Sequence, residues 1–139
     1  MAQLPVTIVE DITTVAGELR YSGCTKAVLS EHDAEQSAVF HLSPGGVIQT
    51  HLHSRVFDLF IGVSGCADIT YEGQQGNGEV RLRQGSFCSM PPGVRHEVRN
   101  NSATEDAVFL LVHAPYEGYD FIPVEFRKAG TAAQREKQN

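Results

Sequence analysis

At 139 residues the chain has room for one sizeable hydrophobic core but not for two. Hydrophobic residues make up 41% and charged residues 20%, and no apolar run approaches the ~18 residues of a membrane span, so a single soluble domain is expected. The net charge is −6; four basic residues against one acidic give positions 127–139 a charge of +3 and leave −9 for the rest. Such a surface repels phosphate backbones and anionic lipid, which excludes nucleic acid and membranes as direct partners.

The opening Met-Ala-Gln-Leu-Pro has neither the basic nor the apolar region of a secretory signal, and a cytoplasmic location is the expectation. Cys24, Cys66 and Cys88 are odd in number and lack C-x-x-C spacing, so reduced thiols that act as small apolar fillers are expected. In chain order, short runs of β-formers bounded by Gly, Pro, Asn and Ser predict strands. They fall at Val6–Val9, Ala27–Ser30, Ala38–Leu42, Ile48–His53, Phe57–Val63, Ala67–Tyr71, Val80–Leu82, Phe87–Met90, Glu97–Arg99 and Ala107–His113. Breakers at Ser43–Gly46, from Glu72 to Gly78 and at Pro91–Gly93 give the strand spacing of a sandwich or barrel. The one helical candidate, Thr131–Lys137, is polar and terminal, so the expected organisation is one all-β domain over 1–126 and a polar tail over 127–139.

Two segments carry the candidate chemistry. In the first, which opens at Gly45, residues two apart on a strand share a face, so Gln49, His51 and His53 are expected to point the same way. Two imidazoles on one face can bind one ion. Beyond the Ser54–Phe57 turn, Asp58 is expected on a returning antiparallel strand beside them, with Phe60 on its face. In the second, which opens at Gly85, the Pro91-Pro92-Gly93 turn delivers His96 at the head of a strand on a rigid backbone. Three imidazoles and one carboxylate suit iron, manganese, nickel, zinc or copper and leave positions open for substrate or dioxygen.

Gly45, His51, His53 and Gly65, with Asp58 where glutamate is usual, resemble the first motif of the cupin superfamily, G-x5-H-x-H-x3,4-E-x6-G. Gly85, Pro91, Gly93, His96 and Asn100 fit every fixed position of the second, G-x5-P-x-G-x2-H-x3-N. The resemblance covers roughly residues 35 to 115. It implies a jelly-roll β-barrel of two antiparallel sheets, one divalent transition metal ion held by His51, His53 and His96, and a homodimer formed through N-terminal strands such as Val6–Val9. Asp58 is one methylene shorter than glutamate, so it ligates directly, binds through water, or leaves a three-histidine site.

The expected function is that of a metal-dependent enzyme acting on a small organic molecule, with dioxygenase chemistry on a chelating enolate or hydroxy acid first. In that reading Asp58 ligates or takes a proton, Gln49 orients substrate, and Phe60 belongs to an apolar wall. A redox-neutral isomerase, decarboxylase, lyase or cyclase uses the same site, and a non-catalytic ligand-binding or metal-binding barrel is the third reading. His113 reads either as a strand-end core residue or as a donor behind a ligand. Arg55 reads as a solvated loop cation or as a contact for an acidic substrate. Tyr116–Phe121, aromatic and hinged at Gly118, reads as a lid across the barrel mouth, as a cap on the core or as a dimer contact.

Overall fold

The computed structural model describes residues 3–127. After a 3-10 turn at Ile12–Thr14, capped by the Asp11 carboxylate, the chain runs through eleven strands. These are β1 (Glu18–Tyr21), β2 (Cys24–His32), β3 (Glu35–Leu42), β4 (Val47–Leu52), β5 (Phe57–Ser64), β6 (Cys66–Gly73), β7 (Gly76–Arg83), β8 (Phe87–Met90), β9 (Arg95–Arg99), β10 (Ala107–Ala114) and β11 (Ile122–Pro123). They form two antiparallel sheets in the orders β1-β2-β3-β10-β5-β8 and β11-β4-β9-β6-β7, an all-β jelly roll as expected. The barrel does not close, because edge strands β7 and β8 make no ladder with each other.

Inward residues of both sheets interdigitate to fill the core, as alternation on half-buried strands requires. Phe40, Phe60, Phe109, Leu42, Ile69, Leu82 and Val98 are each no more than 2% exposed. Phe40 and Phe109 stack with centroids 5.2 Å apart. Gly65, at φ +64°, begins the β5–β6 turn where a Cβ would lie 2.1 Å from the Asp106 carbonyl oxygen, so only glycine fits. Asn100 pins the two motif segments together. Its buried amide donates to the carbonyls of Leu42 (2.9 Å) and Glu105 (2.8 Å), and its backbone exchanges hydrogen bonds with Gly45 and Gly46.

Nine of the ten expected strands match; Val6–Val9 does not. That segment is extended but joins no ladder, with Val6 84% and Ile8 78% exposed. Its β-forming side chains have no partner strand among the described residues, and propensity without a partner makes no sheet. The predicted break from Glu72 to Gly78 narrows to a hairpin with Gln74-Gln75 at its tip, because Gly73 still pairs with Gly76. The helical candidate Thr131–Lys137 lies outside the described residues. No helix among the described residues is long and apolar enough to cross a membrane.

Candidate metal centre

β4 carries His51, and His53 follows directly after its last residue, but the strand does not alternate plainly. The β4–β9 ladder slips between Ile48 and His51, and this irregularity buries both Ile48 and His51 (3% and 4% exposed), three residues apart. Gln49 is thereby turned to solvent rather than sharing the face of His51 and His53, which corrects the expectation drawn from simple two-residue spacing. Only its backbone touches the site.

Asp58 also arrives differently than expected. β4 and β5 belong to opposite sheets, so the Ser54–Phe57 turn carries the chain across the interior. The carboxylate therefore faces the imidazoles from across the sandwich instead of standing beside them in one ladder. On one sheet His51 pairs with His96, and His96 with Tyr71. On the other, Gln36 pairs with His113, His113 with Asp58, and Asp58 with Met90. These two facing rows of side chains form the centre.

His51, His53, Asp58 and His96 are all buried, and each offers a ligand atom within 4.8 Å of the others'. Every imidazole is oriented from behind by a backbone carbonyl. His51 Nδ1 lies 2.7 Å from Gln49 O, His53 Nδ1 2.5 Å from Asp120 O, and His96 Nδ1 2.9 Å from Val94 O. A carbonyl only accepts, so each Nδ1 carries a hydrogen and each Nε2 faces the interior, where it can ligate an ion when deprotonated or, in His53 and His96 when protonated, donate to Asp58. Asp58 Oδ2 lies 2.9 Å from His53 Nε2 and 3.1 Å from His96 Nε2, while Oδ1 accepts from His113 Nδ1 at 2.6 Å. The donor set of three imidazole nitrogens and one carboxylate oxygen fits a divalent transition metal ion.

Electrostatics separates the ligands. Burial and the neighbouring His96 push His51 down to about 3, so its ring stays neutral at ordinary pH. Burial also opposes charge on His53, but the hydrogen bond and charge of Asp58 outweigh it and raise its pKa. Burial would raise Asp58, yet hydrogen bonds from His113, His53 and His96 hold its carboxyl well below the usual carboxylate range.

The segment after β10 crosses over this cluster. Phe121 stacks on His51 with centroids 4.1 Å apart, and Tyr119 packs against His53 (5.2 Å) and His113 (4.6 Å). The Asp120 carboxylate accepts from the Ser54 backbone N–H at 2.8 Å and from the Ser54 hydroxyl. β11 pairs with Leu52 and His51, and Arg95 Nη1 donates to Glu125 O at 2.5 Å. Beneath this strap the cavity bounded by His51, His53, Asp58 and Phe60 measures about 10 Å³, room for roughly one water-sized occupant. Phe60, 1% exposed, walls it beside His96.

His113, which sequence left open between core and support, is therefore the hydrogen-bond partner of Asp58. The signal that would have found it is its register opposite Asp58, which requires knowing that β5 and β10 pair. Arg55 is exposed and lies against Gly118 of the strap, outside the cluster.

Residues 38–113 match the family described as Cupin domain, more than half the chain, and the chain belongs to that family. Solved structures similar to it include the TT1209 protein of Thermus thermophilus at 26% identity and a TM-score of 0.65, covering 77% of this chain and 96% of that one. KdgF from a Halomonas species is similar at 15% identity and a TM-score of 0.67, over 81% and 94% of the two chains. A recombinant oxalate oxidase in complex with glycolate is similar at 14% and 0.67, over 84% of this chain and 62% of the other. At these identities the likeness is one of fold. No curated protein matches the sequence.

Proposed function

We propose that this cupin is a metal-dependent enzyme acting on a small organic molecule, with oxygenase-type chemistry at one divalent transition metal ion. The observation that carries the reading is the set of three Nδ1–carbonyl hydrogen bonds, which orients three imidazoles into one buried cluster with the Asp58 carboxylate. A solvated or purely structural histidine cluster has no need of three matched orientations. When bound, the ion supplies Lewis acidity and open positions where a chelating substrate and dioxygen can meet. His51, His53, His96 and Asp58 would hold it. Phe60 and Phe121 exclude water, and His113 keeps Asp58 Oδ1 occupied so that one oxygen remains for the ion.

A redox-neutral reading, isomerase or lyase chemistry at the same centre, draws support from one specific contact. The 2.6 Å His113–Asp58 hydrogen bond is a buried acid–base pair that can hold or pass a proton. A homodimer belongs to the proposal too, since Leu4, Val6 and Ile8 expose an alternating apolar edge that a second copy would cover.

Elemental analysis of natively purified protein beside His51→Ala and His96→Ala tests the reading. About one redox-active ion per chain, lost in both variants and accompanied by substrate-dependent oxygen uptake, supports the oxygenase. Stoichiometric zinc or nickel with no oxygen uptake selects the redox-neutral alternative. No metal after reconstitution sinks both and leaves a non-catalytic ligand-binding barrel.

A further inference from the structure

A second and larger cavity lies away from the strap. A groove of about 730 Å³ opens where the sandwich fails to close, between the β6–β7 hairpin on one side and β8 with the Pro91–Val94 turn on the other. Its volume lies in the range of small-molecule sites, whereas the 10 Å³ space on the strap side admits no organic molecule. The sequence explains the opening. β8 has four residues and runs into Pro91-Pro92, which have no N–H to offer a neighbouring strand.

This groove adjoins the metal centre through two side chains. Met90 on β8 is the direct cross-strand partner of Asp58, and Tyr71 on β6 is the direct partner of His96, so each stands beside a ligand on the same inner face. Both line the groove. Cys88, the cross-strand partner of Phe60, lines it as well. The groove's turn is also tied to the ligands: Gly93 N donates to His53 O at 2.8 Å, and Val94 O orients His96.

No lysine, arginine, histidine, aspartate or glutamate lines the groove among the described residues. Met90, Val80, Val94, Cys88 and the two prolines give it apolar surface, and its polar side chains, Tyr71, Gln74, Gln75, Asn77 and Ser89, are all neutral. A carboxylate or phosphate entering here would lose hydration and gain no countercharge. A neutral ring system would gain apolar burial and contact with the Met90 thioether and the Tyr71 ring.

We infer that this groove is the substrate site of the centre and takes a neutral, predominantly apolar organic molecule bearing hydroxyl or carbonyl groups, which reaches the ligands between Met90 and Tyr71. The inference rests on the metal-centre reading for its catalytic meaning, but its binding claim stands on the groove alone. It replaces the expected hydroxy acid with an uncharged substrate.

The test titrates 15N-labelled full-length protein, metal-free and zinc-loaded, with 2-naphthol and with 2-naphthoate at pH 7, probes of equal ring size that differ in charge. Saturable shifts at Tyr71, Val80 and Met90 with 2-naphthol, and affinity at least about tenfold weaker for 2-naphthoate, are expected. Val94→Lys should reverse that preference, and Gln75→Lys at the exposed hairpin tip should shift it the same way if Val94→Lys fails to fold. Equal or tighter naphthoate binding, shifts confined to the strap, or no binding of either probe overturns the inference. Groove binding in protein that takes up no zinc would sink the metal reading while leaving the groove intact.

Discussion

Replacing His113 by phenylalanine removes the one donor among the described residues that reaches Asp58 Oδ1, a 2.6 Å contact between groups that are 3% and 1% exposed. A hydrogen bond to a charged, buried group contributes about 1.5–3 kcal/mol. Loss of an outer partner of a metal ligand weakens binding by about 10–100-fold, which at about 1.4 kcal/mol per tenfold is the same size. His113→Phe should therefore bind Zn²⁺ and Ni²⁺ about 10–100-fold more weakly, because Asp58 is free to rotate and both its oxygens compete for the ion and for water. His113→Asn provides the control, since its amide nitrogen sits where the imidazole Nδ1 does and it should stay within about threefold of wild type. Competition against a chromophoric chelator measures both constants, and melts of the metal-free proteins separate affinity from folding. Wild-type affinity in His113→Phe, or equal losses in the two variants, would refute the positioning argument.

Lys26 provides a pH test. It is 7% exposed, donates to Gln36 Oε1 at 2.8 Å, and burial lowers its pKa from 10.5 to about 8. Between those values the unfolded chain holds a proton that the folded chain lacks, so this group's contribution to stability rises with pH from about 8 to 10.5. The melting temperature of wild type relative to Lys26→Met should climb across that window, and a pH-independent difference would contradict the assignment. Phe121→Ala strips the stacked ring from His51, so zinc release into excess chelator should accelerate several-fold in stopped-flow traces; an unchanged rate would mean that the strap does not gate the ion. Gly65→Ala forces a Cβ into the Asp106 carbonyl at positive φ and should cost more than about 2 kcal/mol in urea unfolding.

The candidate cluster was legible because histidine spacing and the Pro-Pro-Gly turn are local features, and His51, His53, Asp58 and His96 do converge. What escaped was set by long-range pairing. Gln49 follows strand parity in sequence, but the slip in the β4–β9 ladder reverses it. Asp58 looked like a neighbour in one ladder because the turn before it is short, whereas the chain uses that turn to change sheets. His113 gained its role only from its register with Asp58. β1, rich in charge, and β11, a two-residue edge ending in proline, carry too little alternation to be read as strands. Val6–Val9 has the composition of a strand and no ladder to enter.

Because the imidazoles and Asp58 descend from opposing sheets, an ion between them is a rivet as well as a reagent. Elsewhere apolar side chains hold the layers, and these can slide, while coordination fixes one point of each layer to the other in three dimensions. Parting the sheets and emptying the centre then become one event, and free metal adds stability in proportion to the logarithm of its concentration over the dissociation constant. Under the proposed function, a cell short of that ion would withdraw catalysis and durability together, and the molecules that degrade first would be those already unable to work.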